Sequence, residues 1–235
     1  MTSSDDVPDP RQGPLAALRW LYRTDHGLVA FCREAASGVL AVALVALLLF
    51  GVTGVWPPVA AIESGSMEPH LHPGDAVIVA EPDRFGPAGV HDTGVVTYQR
   101  GQETGYTSVG APGDVIVYYP NGEWKTPVIH RARFWVEEGE NWYDEANQRF
   151  LRADSCAELT NCPAPNSGFI TKGDANPGYD QAAGFTRPVE PAWIQGTVTA
   201  KVPFLGTLRS TLTGEYHTGN HSGSGHNTTA TTATH

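Results

Sequence analysis

The sequence predicts a mostly β domain carried on one N-terminal transmembrane helix. Three observations predict it. Residues 35–62 contain no charged side chain, and the densest part, residues 35–56, reads AASGVLAVALVALLLFGVTGVW. About 20 apolar residues in a helix cover the roughly 30 Å of bilayer hydrocarbon. Beyond that stretch, short β-branched and aromatic runs alternate with turn signals drawn from 26 Gly and 18 Pro. Finally, 235 residues suffice for one ordinary domain with attachments and a sizeable core.

The composition excludes several function classes. Asp and Glu outnumber Lys and Arg by 25 to 15, a formal net charge of -10. A sequence-independent nucleic-acid binder needs a basic surface to displace counterions, so no nucleic-acid partner is expected. Three cysteines do not make a disulfide-dense scaffold. No Cys/His cluster has zinc-finger spacing, and no Walker or Rossmann glycine pattern occurs, so neither a metal nor an organic cofactor is expected.

Taken in order, residues 1–34 read as a cytoplasmic arm. The opening MTSSDDVPDP has the composition of a disordered segment. Residues 15–31 are either a short amphipathic helix on the inner membrane face or a partly ordered arm. Residues 35–56 are the transmembrane helix. Trp56 stands where an interface anchor belongs, and Pro57-Pro58 where a helix stops. The competing reading is a cleaved signal peptide, for which Val59-Ala60-Ala61 offers small residues. Its apolar core, however, exceeds the usual 7–15 residues. Arg11, Arg19, Arg23 and Arg33 precede the span, and the first basic residue after it is Arg84. The positive-inside rule then leaves the N-terminus in the cytoplasm and residues 57 onward outside, a single-pass cell-membrane topology.

Residues 57–213 form the extracytoplasmic domain. Strand-like runs are Ala76-Val77-Ile78-Val79, Gly94-Val95-Val96-Thr97-Tyr98, Asp114-Val115-Ile116-Val117-Tyr118-Tyr119, residues 128–136, Gly168-Phe169-Ile170-Thr171 and Gly196-Thr197-Val198-Thr199-Ala200. Cys156 and Cys162 lie on the outer side, where a disulfide across CAELTNC and two free thiols are both open. Residues 214–235 carry almost no apolar content and are expected to be a disordered tail. That tail holds His217, His221, His226 and His235, read as solvated, and two acceptor patterns for N-glycosylation at Asn220 and Asn227.

The chemistry-bearing string is Glu63-Ser64-Gly65-Ser66-Met67-Glu68-Pro69, a few residues beyond the span. A serine there is ordinarily a turn residue. His130 inside the apolar run Val128-Ile129-His130-Arg131, with Asp174 and Asp180 further on, changes the weighing. A serine hydroxyl is a weak nucleophile until a base takes its proton. Histidine does so near neutral pH, and a carboxylate fixes its tautomer and stabilises the imidazolium. Donors must also meet the developing oxyanion.

These strings resemble a known family. Ser-Gly-Ser-Met-Glu-Pro, with Gly74-Asp75 and an apolar strand behind it, is similar to the catalytic-serine region of type I signal peptidases. Gly113-Asp114-Val115-Ile116-Val117-Tyr118 resembles that family's next strand. Val-Ile-His130-Arg131 and Thr171-Lys172-Gly173-Asp174 resemble the archaeal and endoplasmic-reticulum branch, which has histidine where the bacterial branch has its lysine base. Residues 196–206 resemble the closing segment, and the acidic, lysine-poor balance suits a haloarchaeal member. The resemblance spans roughly residues 36–209. It implies a signal-peptidase-type β catalytic domain and a serine endopeptidase, a hydrolase that removes signal peptides from exported preproteins at the outer membrane face. Ser66 is then the nucleophile, His130 the general base, and Asp180 and Asp174 the supporting acids, with either one open as the partner of His130. The Ser66 N–H and the Ser64 hydroxyl match the oxyanion donors. The implied partners are preprotein signal peptides, the lipid membrane and the protein-export machinery. Lys172 suits a surface or structural role better than that of a base. His70, His72 and His91 read as solvated loop residues, and Glu137, Glu138, Glu140, Asp144 and Glu145 as a solvated acidic loop. The alternative from another class is a non-catalytic, membrane-tethered β-module that binds extracytoplasmic partners.

Overall fold

A computed structural model describes residues 27–86 and 92–203. The expectations for residues 1–26, His91 and the 214–235 tail, its histidines and its glycosylation patterns included, lie outside the described residues.

Helix α1 runs Gly27–Thr53, and among the described residues it is the one helix long and apolar enough to cross a membrane. It starts eight residues before the expected 35 and ends three before 56. Arg33 and Glu34 interrupt the apolar run but not the helix, because neither is a breaker. The stop is Gly54, at φ 77°, in the left-handed region that closes helices. At 27 residues the helix is about 40 Å long. The first turns of α1 take residues 27–31 away from any separate surface helix.

A single antiparallel sheet follows, with β1 (Val59–Ala61), β2 (Ala76–Ala80), β5 (Val115–Tyr118), β6 (Val128–Val136), β7 (Gly168–Lys172) and β8 (Ile194–Val202) in the order β1-β2-β8-β5-β6-β7. Short β3 (Thr107–Ser108) and β4 (Ala111–Pro112) make a separate ribbon. The mostly β expectation is met, with two local differences. Val59-Ala60-Ala61 is an edge strand paired to β2. The Gly94–Tyr98 run is not a strand: Thr97 caps helix α2 (Tyr98–Thr104), its hydroxyl accepting the Arg100 N–H. A capping threonine satisfies an orphan donor there, and this outweighs the β-propensity of a short run.

The register brings four strand ends to one side of the sheet. Ala80 pairs with Thr197, Tyr118 with Ile194, and Tyr118 with Val128. Glu81, the residue after β2, donates its N–H to the Thr53 carbonyl at 2.9 Å, so this is also the side on which α1 ends. Exposed Phe85 and Trp124 belong to the segments leaving these ends, and exposed Trp56 lies between α1 and β1.

The core supplies anchors beside the site residues. Met67 and Leu71 are buried with Val77, Val79, Val115 and Val198. Tyr179 is buried against Phe134, Trp142 and Phe150. Each such side chain contributes roughly 1.5–3 kcal/mol by leaving water; Met67 adjoins Ser66, Leu71 adjoins His70 and Tyr179 adjoins Asp180. Cys156 and Cys162 are disulfide-bonded. The acidic loop is exposed but not merely solvated. Glu137 accepts the Ser167 hydroxyl at 2.7 Å, and Glu140 accepts the Glu137 N–H at 2.7 Å, which knits the turn after β6.

Candidate active site

Ser66 sits in a single 3-10 turn, Gly65–Met67, between β1 and β2. Buried Met67 fixes one side of the turn. The loop after β7 fixes the other, because the Ala175 N–H donates to the Ser66 carbonyl at 2.9 Å. Gly173 has to be glycine for this approach: a Cβ there would stand 2.7 Å from the Ser66 carbonyl oxygen.

His130 lies on β6, two residues in from Val128. Its Nε2 is 3.2 Å from Ser66 Oγ and its Nδ1 is 2.7 Å from Asp180 Oδ2. The same Asp180 oxygen accepts the Thr171 hydroxyl at 2.7 Å and the Tyr118 hydroxyl at 3.2 Å. With two hydroxyls already donating to Asp180, Nδ1 carries the ring proton as third donor, and Nε2 is left to accept from Ser66. Burial, and then the nearby Asp180 charge, push the Tyr118 phenol well above its ordinary value, so it remains a donor. Gln181 completes the shell. Its side-chain carbonyl accepts the Thr171 N–H at 2.9 Å, and its amide donates to the Thr171 hydroxyl at 3.2 Å. Ser64 Oγ is 3.2 Å from Ser66 Oγ.

Asp174, the other acid, is not the partner of His130. The Arg131 guanidinium grips it as a fork, Nε to Oδ1 at 3.0 Å and a terminal nitrogen to Oδ2 at 2.7 Å. Burial alone would raise the Asp174 carboxyl, but the hydrogen bonds and charge of Arg131, then those of His70, hold it below the usual carboxylate value. Arg131 is itself fully buried and donates its remaining fork to the Ser108 and Gly113 carbonyls at 2.9 and 2.7 Å. His70 is therefore not a solvated loop residue: its Nδ1 is 2.9 Å from Asp174 Oδ2. His72 fits its expectation better, being more than half exposed and 3.8 Å from Asp75.

Lys172 is structural, as expected, but buried rather than on the surface. Its three donors meet the carbonyls of Gly173, Asp174 and Asn176 at 2.7, 3.1 and 2.6 Å. Burial, then the Arg133 charge, lower its pKa. An ammonium with all three protons donated to the loop that braces Ser66 serves that loop, not the hydroxyl.

Ser66, His130 and Asp180 line a cleft of about 970 Å³. Pro57, Pro127 and Gln195 also line it, and all three come from the side of the sheet on which α1 ends. The disulfide-closed loop contributes Glu158 and Leu159 to the lining. Among the described residues no group of three or more His, Cys, Asp or Glu side chains could hold a metal ion. Sequence reasoning missed Thr171, Tyr118 and Gln181. The only sequence signal for them is their position within or next to the quoted strings. No protein-family model matches this chain, and no curated protein matches it.

Proposed function

We propose that the chain is a membrane-anchored serine endopeptidase of the type I signal peptidase kind, in its archaeal and endoplasmic-reticulum branch, with a haloarchaeal composition. It removes signal peptides from exported preproteins at the outer membrane face. The observation that carries this reading is the unbroken contact chain from Ser66 Oγ through the His130 ring to Asp180. It lies in a cleft whose lining includes Pro57, just past the end of an apolar helix.

The chemistry follows from the contacts. His130 Nε2 takes the Ser66 proton as Oγ attacks the scissile carbonyl carbon. Asp180, held by two hydroxyls, stabilises the imidazolium that forms. The carbonyl oxygen becomes an oxyanion, met by the Ser66 N–H and by the Ser64 hydroxyl. A donor of this kind contributes about 3 kcal/mol. His130 then gives its proton to the leaving amine, and an acyl-enzyme remains on Ser66. Water, deprotonated by the same ring, releases the signal peptide. No metal or organic cofactor takes part in these steps.

Membrane position supports the substrate class. From Val128, at the α1 side of the sheet, to His130 is about 7 Å along β6. A substrate whose apolar segment lies in the bilayer presents its cleavage site near the membrane surface. Exposed Trp56, Phe85 and Trp124 suit the headgroup region on the same side. Retention of the anchor is supported by Val59-Ala60-Ala61, the small residues available for cleavage, which are paired into the sheet as β1.

The test is preprotein cleavage in membranes by wild type and Ser66→Ala. The reading expects cleavage by wild type and its loss in the variant. Undiminished turnover by Ser66→Ala removes Ser66 from the mechanism, and a folded wild type that cuts no preprotein returns the chain to the class of tethered binding modules.

A further inference from the structure

An α-helix leaves its last four carbonyls without intrahelical partners, and they carry the negative end of its dipole. In α1 these are the carbonyls of residues 50–53. Phe50 accepts the Gly54 N–H at 2.7 Å. The other three are taken by the segment that leaves β2. Thr53 accepts the Glu81 N–H at 2.9 Å, Val52 accepts Arg84 Nε at 2.7 Å, and Gly51 accepts a terminal nitrogen of the same guanidinium. The third guanidinium nitrogen donates to Glu81 Oε2 at 3.1 Å. A Cβ on Gly54 would lie 2.4 Å from that Glu81 carboxylate, so the helix end and the clasp are in contact. Just beyond, Val55 is buried in the core with Ile62 and Met67, and Pro58 accepts the Val79 N–H at 2.9 Å.

One cation therefore completes a helix that lies 32 residues away in sequence. Arg84 and Glu81 are both exposed, so the clasp acts through geometry, one planar guanidinium bridging two carbonyls, more than through its charge. It also ties the last turn of α1 to the segment that leaves β2. From β2 the pairing to β1 leads directly to the Ser66 turn.

We propose that Arg84, braced by Glu81, is a positioning residue that locks the domain onto the end of the membrane helix and so sets the height at which Ser66 meets a membrane-embedded substrate. The inference rests on the endopeptidase reading above. Arg84 touches no reacting atom. Its effect is confined to substrates that are themselves held in the bilayer, and it appears as the position of the cut as well as the rate.

The experiment uses the full chain in phosphatidylglycerol/phosphatidylcholine vesicles, as wild type, Arg84→Gln and Arg84→Lys. Two substrates are compared: a membrane-inserted preprotein, with its cut position read by mass spectrometry, and a soluble peptide spanning the same cut. Arg84→Gln is expected to hold the peptide kcat/KM within about twofold, to lose about tenfold or more on the preprotein, and to add cuts at neighbouring positions, since small misplacements are costly. Arg84→Lys, a point charge rather than a fork, should restore part of the loss. Spin labels on Val45→Cys and Glu103→Cys, in a Cys32→Ser background, give a readout that needs no activity: a narrow distance distribution in wild type that broadens in Arg84→Gln. Unchanged preprotein cutting with an unchanged distribution overturns the proposal, as does an equal loss on both substrates. If wild type cuts nothing, the endopeptidase reading fails, and a distribution that still broadens marks the clasp as structural only, which also ends the height-setting role.

Discussion

Among the described residues, two histidine–aspartate pairs have nearly the same geometry. His130 Nδ1 meets Asp180 at 2.7 Å, and His70 Nδ1 meets Asp174 at 2.9 Å. They differ in what else each carboxylate holds. Asp180 is surrounded by neutral donors, Thr171 and Tyr118, so no fixed cation other than a charged His130 would neutralise it there. Asp174 already neutralises a fully buried guanidinium, and His70 only adds to it. The far nitrogens differ as well: that of His130 reaches a serine hydroxyl. A His–Asp contact is thus no more a catalytic pair than its remaining neighbours make it, and here one pair is suited to chemistry and the other to holding β6 in place.

The largest expected effect breaks the first pair. Asp180→Asn should lower preprotein cleavage by about 10⁴-fold through loss of the tautomer, with folding retained. Single-turnover cleavage beside circular dichroism checks this. A loss of tenfold or less would mean that Asp180 does not orient His130. The matching change in the second pair should act on stability instead. Asp174→Asn leaves Arg131 buried without its counter-charge and is expected to cost about 3–5 kcal/mol in denaturant unfolding, while the folded fraction keeps most of its turnover. If the two variants behave alike, the distinction between the pairs collapses.

The pH dependence of stability sharpens the comparison. The folded carboxyl of Asp174 lies below its unfolded value, so its contribution is present above the ordinary carboxylate range and lost as pH falls through the folded value. Asp114 works in the opposite sense. Burial raises it from 3.8 to about 6, even though it accepts the Val96 N–H and the Tyr106 hydroxyl. Its contribution is full below 3.8 and is lost as pH rises through about 6. Unfolding free energies in detergent across this window should therefore decline by up to about 3 kcal/mol, and Asp114→Asn should flatten the decline. The smallest effect is that of Thr171→Val. It removes one of the two hydroxyls on Asp180 and should cost about 1–1.5 kcal/mol in kcat, roughly tenfold, measured on a soluble peptide.

Ser66, His130 and the span were legible because each stands in a short string whose composition marks it: a serine just past an apolar run, a lone histidine inside a strand. Asp180 and Asp174 were both visible, yet which of them met His130 was not. Six residues of loop set no direction, and the deciding facts are Arg131, adjacent to His130 in sequence, and Thr171 on the next strand. Threonine in a strand carries no mark of its role, and Tyr118 reads as an ordinary apolar neighbour. His70 looked like a loop residue because its partner is 104 positions away. Val59–Ala61 is too short and too close to proline to announce a strand. The Gly94–Tyr98 run misled because one capping hydroxyl redirected it into α2. The end of α1 shows the same limit, since no local pattern says that Arg84 completes a helix that stopped at Thr53.

The central claim is that Ser66 and His130 act as one unit, and a double-mutant cycle tests it most directly. Single-turnover cleavage of one preprotein would be measured for wild type, Ser66→Ala, His130→Ala and the double variant. The account predicts that either single change costs nearly as much as both together, because neither group has a function without the other. Losses that multiply, or a single variant that still cleaves at the wild-type rate, would contradict it.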